Sequence, residues 1–355
     1  MDIVDYLKEY GKFTLKEKPF NECDALVMSL IVYFPFYLIK SKRTYNTKYL
    51  LDFLKDFKPL TDNQRKRNEI ALVREFCTCE RFKKAKFIHF ERERDDINYK
   101  QFQAVSVVIN DYLFLAFSGT DGTVIGWRED ANMACVEMVP AEEEAIKYAK
   151  QVSRFVIFKK MVLCGHSKGG RLAIRSAVNM EKKNKVVGVY NFDGPNFSSS
   201  FYETDSYKQI EDRVFEYAPN RSIIGRLFST PRNIVVVKSK ERFFMQHDAY
   251  SWEIDNDKFV VEEEFSPIST RLVTGINNVM GKYDSETKQR FVNFLFDNFF
   301  ADLQDEDFSK SGAFKTRLKA AFISLPREFK NVSREDRDAL TRILLSLVKE
   351  IVIQK

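Results

Sequence analysis

Residues 165–169 read Gly-His-Ser-Lys-Gly, a G-x-S-x-G pentapeptide in which Ser167 can serve as a nucleophile. A serine hydroxyl attacks poorly until a base takes its proton, and the base needs an acid to orient it. The chain has three histidines. His89 lies in a strand-like pattern upstream, and His166 adjoins the serine and points elsewhere on the turn. His247, in "FFMQHDAY", follows the serine and the later strands, so the order Ser…Asp…His makes it the candidate base. Asp193, at the end of the apolar run "VVGVYNFD", is the candidate acid. Its alternative role is a turn former in Asp-Gly-Pro. Glu241, after "IVVVKSK", is the rival acid, and Asp248 adjoins the histidine too closely to reach around it. Two N–H donors are needed for a developing oxyanion. The backbone amides of Lys168 and of Thr120, in "FSGTDG", are the candidates. The chemistry expected of such a set is acyl transfer from an ester.

Such residues work only on a strand, a sharp turn and a helix. "MVLC" (161–164) supplies the strand and "KGGRLAIRSAVNM" the helix. Further strand signals at 186–191 and 233–237, each followed by a loop or helix, predict a mostly parallel sheet covered on both faces. "KFIHF", "FQAVSVVI" and "YLFLAF" predict earlier strands that are partly antiparallel. "SWEIDNDKFVVEEEF" reads as a hairpin. Residues 1–83 read as a helical segment packed on the core, with Asn21 capping a helix whose Leu26, Leu30 and Tyr33 share a face. Residues 84–265 form the α/β core, and 266–355 a C-terminal helical segment. In the latter, Phe291, Phe294, Leu295 and Phe299 mark one helix. Ser333 caps another, striped by Leu340, Ile343, Leu344, Leu347 and Val348. Residues 194–232 form a long excursion between strands, and Ile223, Ile224, Leu227 and Phe228 make it a candidate cap over an acyl pocket. The alternative is a short helix packed on the core.

Of 355 residues, 44% are hydrophobic and 30% charged, a globular balance. The net charge of +6 is a small excess of 57 basic over 51 acidic side chains. With no arginine-rich stripe, it argues against a nucleic-acid partner. Five cysteines, an odd number in a long chain, argue against a disulfide framework. Cys77-Thr-Cys79 is a lone C-x-C, so no metal is expected, and the mechanism asks for no cofactor. The apolar run from Ala25 to Ile39 is too short and, at Pro35, too broken to span a membrane. It reads as a buried helix, with peripheral membrane contact as the lesser alternative. The N-terminal residues carry no signal-peptide core, so the cytoplasm is the expected compartment.

"FSGT…GWRED" is similar to the stretch of class 3 lipases in which a strand ends in F-R-G-S/T and W-x-x-D follows. Trp127 and Asp130 match, and Ser118 stands where arginine is usual. Over nearly the whole chain the sequence more closely resembles the Mbeg-like family of lipase-like α/β-hydrolase-fold proteins. "FSGTDGTVIGWREDANM", "VPAEEEA", "GHSKGGRLA", "VYNFDGP" and "MQHDAYSW" carry that resemblance in order. It implies an α/β-hydrolase fold with helical additions. It gives Ser167, His247, Thr120 and Lys168 the roles already named. Class 3 lipases place the acid after the next strand, toward Glu241, and other lipases place it on the Asp193 strand. Arg171 departs from the asparagine usual after K-G-G and reads as an exposed helix position. The expectation is a serine esterase or lipase acting on a small-molecule or lipid ester. The alternative is an inactive hydrolase fold used for binding or regulation.

Overall fold

Short apolar runs bounded by turn residues become the strands of one eight-stranded sheet whose spatial order follows the chain. They are β1 (Tyr45–Asn46), β2 (Lys86–Asp95), β3 (Lys100–Ile109), β4 (Tyr112–Phe117), β5 (Lys160–His166), β6 (Val186–Phe192), β7 (Val214–Pro219) and β8 (Ile234–Val237). The computed structural model describes residues 1–300 except 40–43, 60–62, 157–158 and 229–232, together with 337, 341 and 342. β1 pairs antiparallel with β2, and β3 with β4. From β4 to β8 every pairing is parallel. β5, in the middle of the sheet, is buried from Met161 to His166, as expected of a parallel strand covered on both faces. A small hairpin, β9 (Ile254–Asp255) with β10 (Lys258–Phe259), follows.

β7 departs from the expected single excursion over 194–232. "VFEYAP" hides its strand character because Phe215 faces out while Glu216 is buried. The short stretch around Ile223 is one 3₁₀ turn, Ile224–Arg226. Ser333 and the stripe from Leu340 to Val348 lie outside the described residues.

The helices are α1 (Ile3–Tyr10), α2 (Glu22–Ile31), α3 (Thr47–Asp56), α4 (Gln64–Thr78), α5 (Val124–Asn132), α6 (Pro140–Phe155), α7 (Lys168–Val178), α8 (Ser199–Tyr202), α9 (Asp205–Lys208), α10 (Pro267–Lys282) and α11 (Ser285–Leu295). Asn21 caps α2 in a capping box with Asp24. Asp24 also receives Arg81 Nε at 2.6 Å and Nη2 at 2.5 Å, and Tyr6 Oη at 2.9 Å, all buried. A buried carboxylate persists only when its charge and lone pairs are met in this way. The ion pair therefore binds α1, α2 and the end of α4 into the same hydrophobic core as β3 to β6. Among the described residues no helix is long and apolar enough to cross a membrane.

The chain forms two units. The first comprises Met1–Glu93, Phe102–Gly119 and Glu144–Ser269. The second comprises Arg94–Gln101, Thr120–Glu143 and Thr270–Lys355. Within the second, buried Glu129 accepts from the amides of Gln101 at 3.0 Å and Ala141 at 2.8 Å. Arg128 lies 3.9 Å from the Tyr99 ring and donates to Asp297 Oδ1 at 2.5 Å.

Candidate active site

β5 runs through the parallel half and ends at His166, and α7 begins at Lys168, so Ser167 is the whole turn between them. Its backbone is held at φ 59° and ψ −136°, a region that side chains rarely occupy. The strain is set by neighbours. Ser167 N–H donates to Phe192 O and Gly170 N–H to Ser167 O, each at 2.9 Å. A Cβ on Gly165 would run into the Gly169 backbone, and one on Gly169 into the Phe117 carbonyl. Only glycine lets strand and helix approach this closely. The Ser167 hydroxyl makes no capping bond to α7 and is left for another partner.

That partner is His247, whose Nε2 lies 3.0 Å from Ser167 Oγ. His247 closes a 3₁₀ turn, Phe243–His247, and keeps 30% of its side chain exposed. Its Nδ1 lies 2.6 Å from Asp193 Oδ2. An ionised carboxylate can only accept, so Nδ1 carries the proton and Nε2 offers its lone pair to the serine hydroxyl. Asp193 directly follows β6 with φ 54° and is 2% exposed. Its amide donates to Tyr217 O at 2.7 Å. Its other oxygen accepts from Ser222 Oγ and from Gly225 N–H, the latter at 3.1 Å. A base in this tautomer, backed by a fully bonded carboxylate, can take the serine proton and carry the resulting charge.

The structure brings Ser167, His247 and Asp193 into one hydrogen-bonded row and leaves Glu241 out of it. Glu241 is exposed. Its amide donates to Ser239 Oγ at 3.2 Å, and its carbonyl accepts from Gln246 Nε2 at 3.0 Å. Asp248 caps the following turn, accepting from Tyr250 N–H at 3.3 Å. Lys168 is the first residue of α7, where amides lack an acceptor within the helix. The Thr120 hydroxyl donates to Asp130 Oδ2 at 2.5 Å within the second unit. His89 lies on β2 with Nε2 3.3 Å from Glu91 Oε2.

Arg171 corrects the sequence reading. It is 3% exposed, and its guanidinium lies 4.2 Å from the Phe197 ring and donates to Asn196 O. The segment after β6 folds back over α7, which no local pattern announces. His166 is likewise not idle on the turn. Its Nε2 is 2.7 Å from His247 O, its Nδ1 is 3.2 Å from Tyr33 Oη, and its ring lies 4.8 Å from the His247 ring. Burial, then the nearby His247 and Arg65, push its pKa well below the usual histidine range. Beneath the Asp193 turn, Asn191 Nδ2 donates to buried Glu216 Oε1 at 2.9 Å, and Gly194 N–H to Asn191 Oδ1 at 2.9 Å. The only described group with metal-ligand spacing is Glu91, Glu93 and Glu144, and Lys147 Nζ already lies 3.5 Å from Glu144.

A family model described as Mbeg1-like matches residues 76–297. No match was found among curated proteins. Among solved structures, a crystal structure of M37 lipase is similar at 14% identity with a TM-score of 0.36, covering 58% of this chain and 69% of that one. The parallel strands, the turn at Ser167 and the flanking helices make this an α/β-hydrolase fold.

Proposed function

The chain belongs to the Mbeg1-like family, and from that premise we propose that it is a serine hydrolase of the esterase or lipase type. One observation carries the reading. A serine on a strained strand-to-helix turn lies 3.0 Å from an imidazole whose far nitrogen lies 2.6 Å from a buried carboxylate. Ser167 Oγ attacks an ester carbonyl as His247 Nε2 takes its proton. Asp193 stabilises the imidazolium, and the amide of Lys168, at the start of α7, receives the oxyanion. The tetrahedral intermediate collapses, His247 protonates the departing alcohol, and an acyl group remains on Ser167. Water, deprotonated by His247, then attacks that acyl group. The serine regains its proton and the acid leaves.

The substrate is a small-molecule or lipid ester. The sequence of steps calls for neither metal nor organic cofactor. Five free thiols suit a reducing compartment, and the cytoplasm is the proposed location. Labelling with a fluorophosphonate tests the reading. Wild-type protein is expected to label at Ser167, and Ser167→Ala and His247→Ala to stay unlabelled. Folded wild-type protein that does not label would overturn the enzyme reading in favour of a binding role.

A further inference from the structure

We infer that Tyr33 and His166 are positioning residues that lock the base loop to the glycine loop beside the nucleophile. This rests on the reading of Ser167 as nucleophile and adds to it two side chains that touch no reacting atom.

Four groups form a continuous chain. Gly119 N–H donates to Tyr33 Oη at 3.0 Å. Tyr33 Oη lies 3.2 Å from His166 Nδ1 and 3.3 Å from His166 O. His166 Nε2 lies 2.7 Å from His247 O. The direction of every proton follows from the acceptors. A carbonyl can only accept, so Nε2 carries the hydrogen. The ring is buried and neutral, so it has one hydrogen and Nδ1 keeps its lone pair. Tyr33 has one hydroxyl hydrogen, which faces Nδ1 and, slightly farther, the His166 carbonyl, and its oxygen accepts from Gly119. This arrangement meets all four groups at once, and a satisfied buried network of this kind favours one geometry.

Both ends of the chain are functional. At one end is the backbone of His247 itself, so the carbonyl grip sets where its ring stands between Ser167 and Asp193. At the other is Gly119, so close to the nucleophile that a Cβ there would lie 2.9 Å from Ser167 Cβ. Tyr33 is pinned in turn, its ring lying 5.1 Å from the Arg65 guanidinium. Tyr33 and Arg65 lie outside residues 76–297, the stretch that the family model matches.

The test uses the full chain and compares Tyr33→Phe, His166→Ala and His166→Gln with wild type. Glutamine can still donate to the His247 carbonyl, and alanine cannot. For hydrolysis of p-nitrophenyl butyrate, Tyr33→Phe is expected to lower kcat about 10- to 100-fold, the scale of a small misplacement of reacting groups. KM should move less than about threefold, because no substrate contact is lost. His166→Ala should fall by as much or more, and His166→Gln should recover most of the loss. A purely structural role predicts instead that folded Tyr33→Phe retains wild-type kcat, or that glutamine and alanine fail equally. Either result overturns the inference. If wild-type protein neither turns over esters nor labels, the nucleophile reading fails separately. The downfield Nδ1 proton resonance of His247, which needs no chemistry, then decides. It is expected in wild type and lost to exchange in Tyr33→Phe, and an unchanged resonance overturns the inference.

Discussion

Asp193 and Glu241 each follow a strand of the parallel half of the sheet, yet they meet opposite surroundings. Asp193 leaves β6, an interior strand, and β7 extends past it to accept its amide at Tyr217. The turn after β7 then covers its carboxylate with Ser222 and Gly225. Glu241 leaves β8, the last strand in the sheet, and is exposed. The difference teaches that the acid is made by its neighbours. A carboxylate can be dried and aimed only where other strands and turns supply donors for every lone pair. The outer side of β8 is met by bridges from Val237 to Val261 and from Ser239 to Trp252, and Glu241 lies past them, exposed.

Substitution at these two acids probes that contrast most strongly. Asp193→Asn should lower kcat for a short-chain aryl ester by about 10⁴-fold, since an amide favours the wrong imidazole tautomer. Glu241→Gln should stay within about twofold of wild type. The reverse ranking would break the comparison. A smaller effect sharpens it. Ser222→Ala removes one donor to Asp193 Oδ1 and leaves the Gly225 amide in place. The loss of one hydrogen bond to a charged group should cost roughly tenfold in kcat. Unchanged kcat would mean that the cover over Asp193 is dispensable.

The smallest effect concerns the support under the Asp193 turn. Burial raises the Glu216 carboxyl to about 7 from 4.5, with the Asn191 hydrogen bond pulling the other way. Its folded-state value is raised, so its stabilisation is full below about 4.5 and is lost as pH rises through about 7. His166 acts with the opposite sign, because its folded-state value is depressed. Its contribution is full above about 6.5 and is lost as pH falls. Each contributes at most about 1.4 kcal/mol per pH unit. Glu216→Gln removes only the first slope. The change in Tm from pH 5 to pH 7 should therefore be more positive in the variant, by a few degrees. Parallel curves for the two proteins would contradict a neutral carboxyl beneath the turn.

Much of this site was legible in the sequence because its key signals are local. The apolar run to Cys164, the glycines at 165 and 169 and the helical pattern after Lys168 together describe a strand, a tight turn and a helix. Chain order and the scarcity of histidines pointed to His247. The choice between Asp193 and Glu241 was not legible, because it depends on β7. That strand exposes Phe215 and buries Glu216, against the usual pattern. Arg171 was misread for a related reason, since aromatic rings from the segment after β6 cover a polar position. Tyr33 looked like a core residue at the end of an amphipathic run. Its hydroxyl meets His166 across 133 residues of chain, a distance no periodicity can bridge.

The backbone of Ser167 carries one more consequence, for anyone who would harden this protein against heat. A side chain at φ 59° and ψ −136° costs on the order of 1–3 kcal/mol, and glycine there would relieve most of it. A sequence selected for thermal endurance alone would drift toward glycine at this position and discard the hydroxyl. Stabilising substitutions belong elsewhere in the chain, with residue 167 held fixed as the place where the fold is deliberately weaker than it could be.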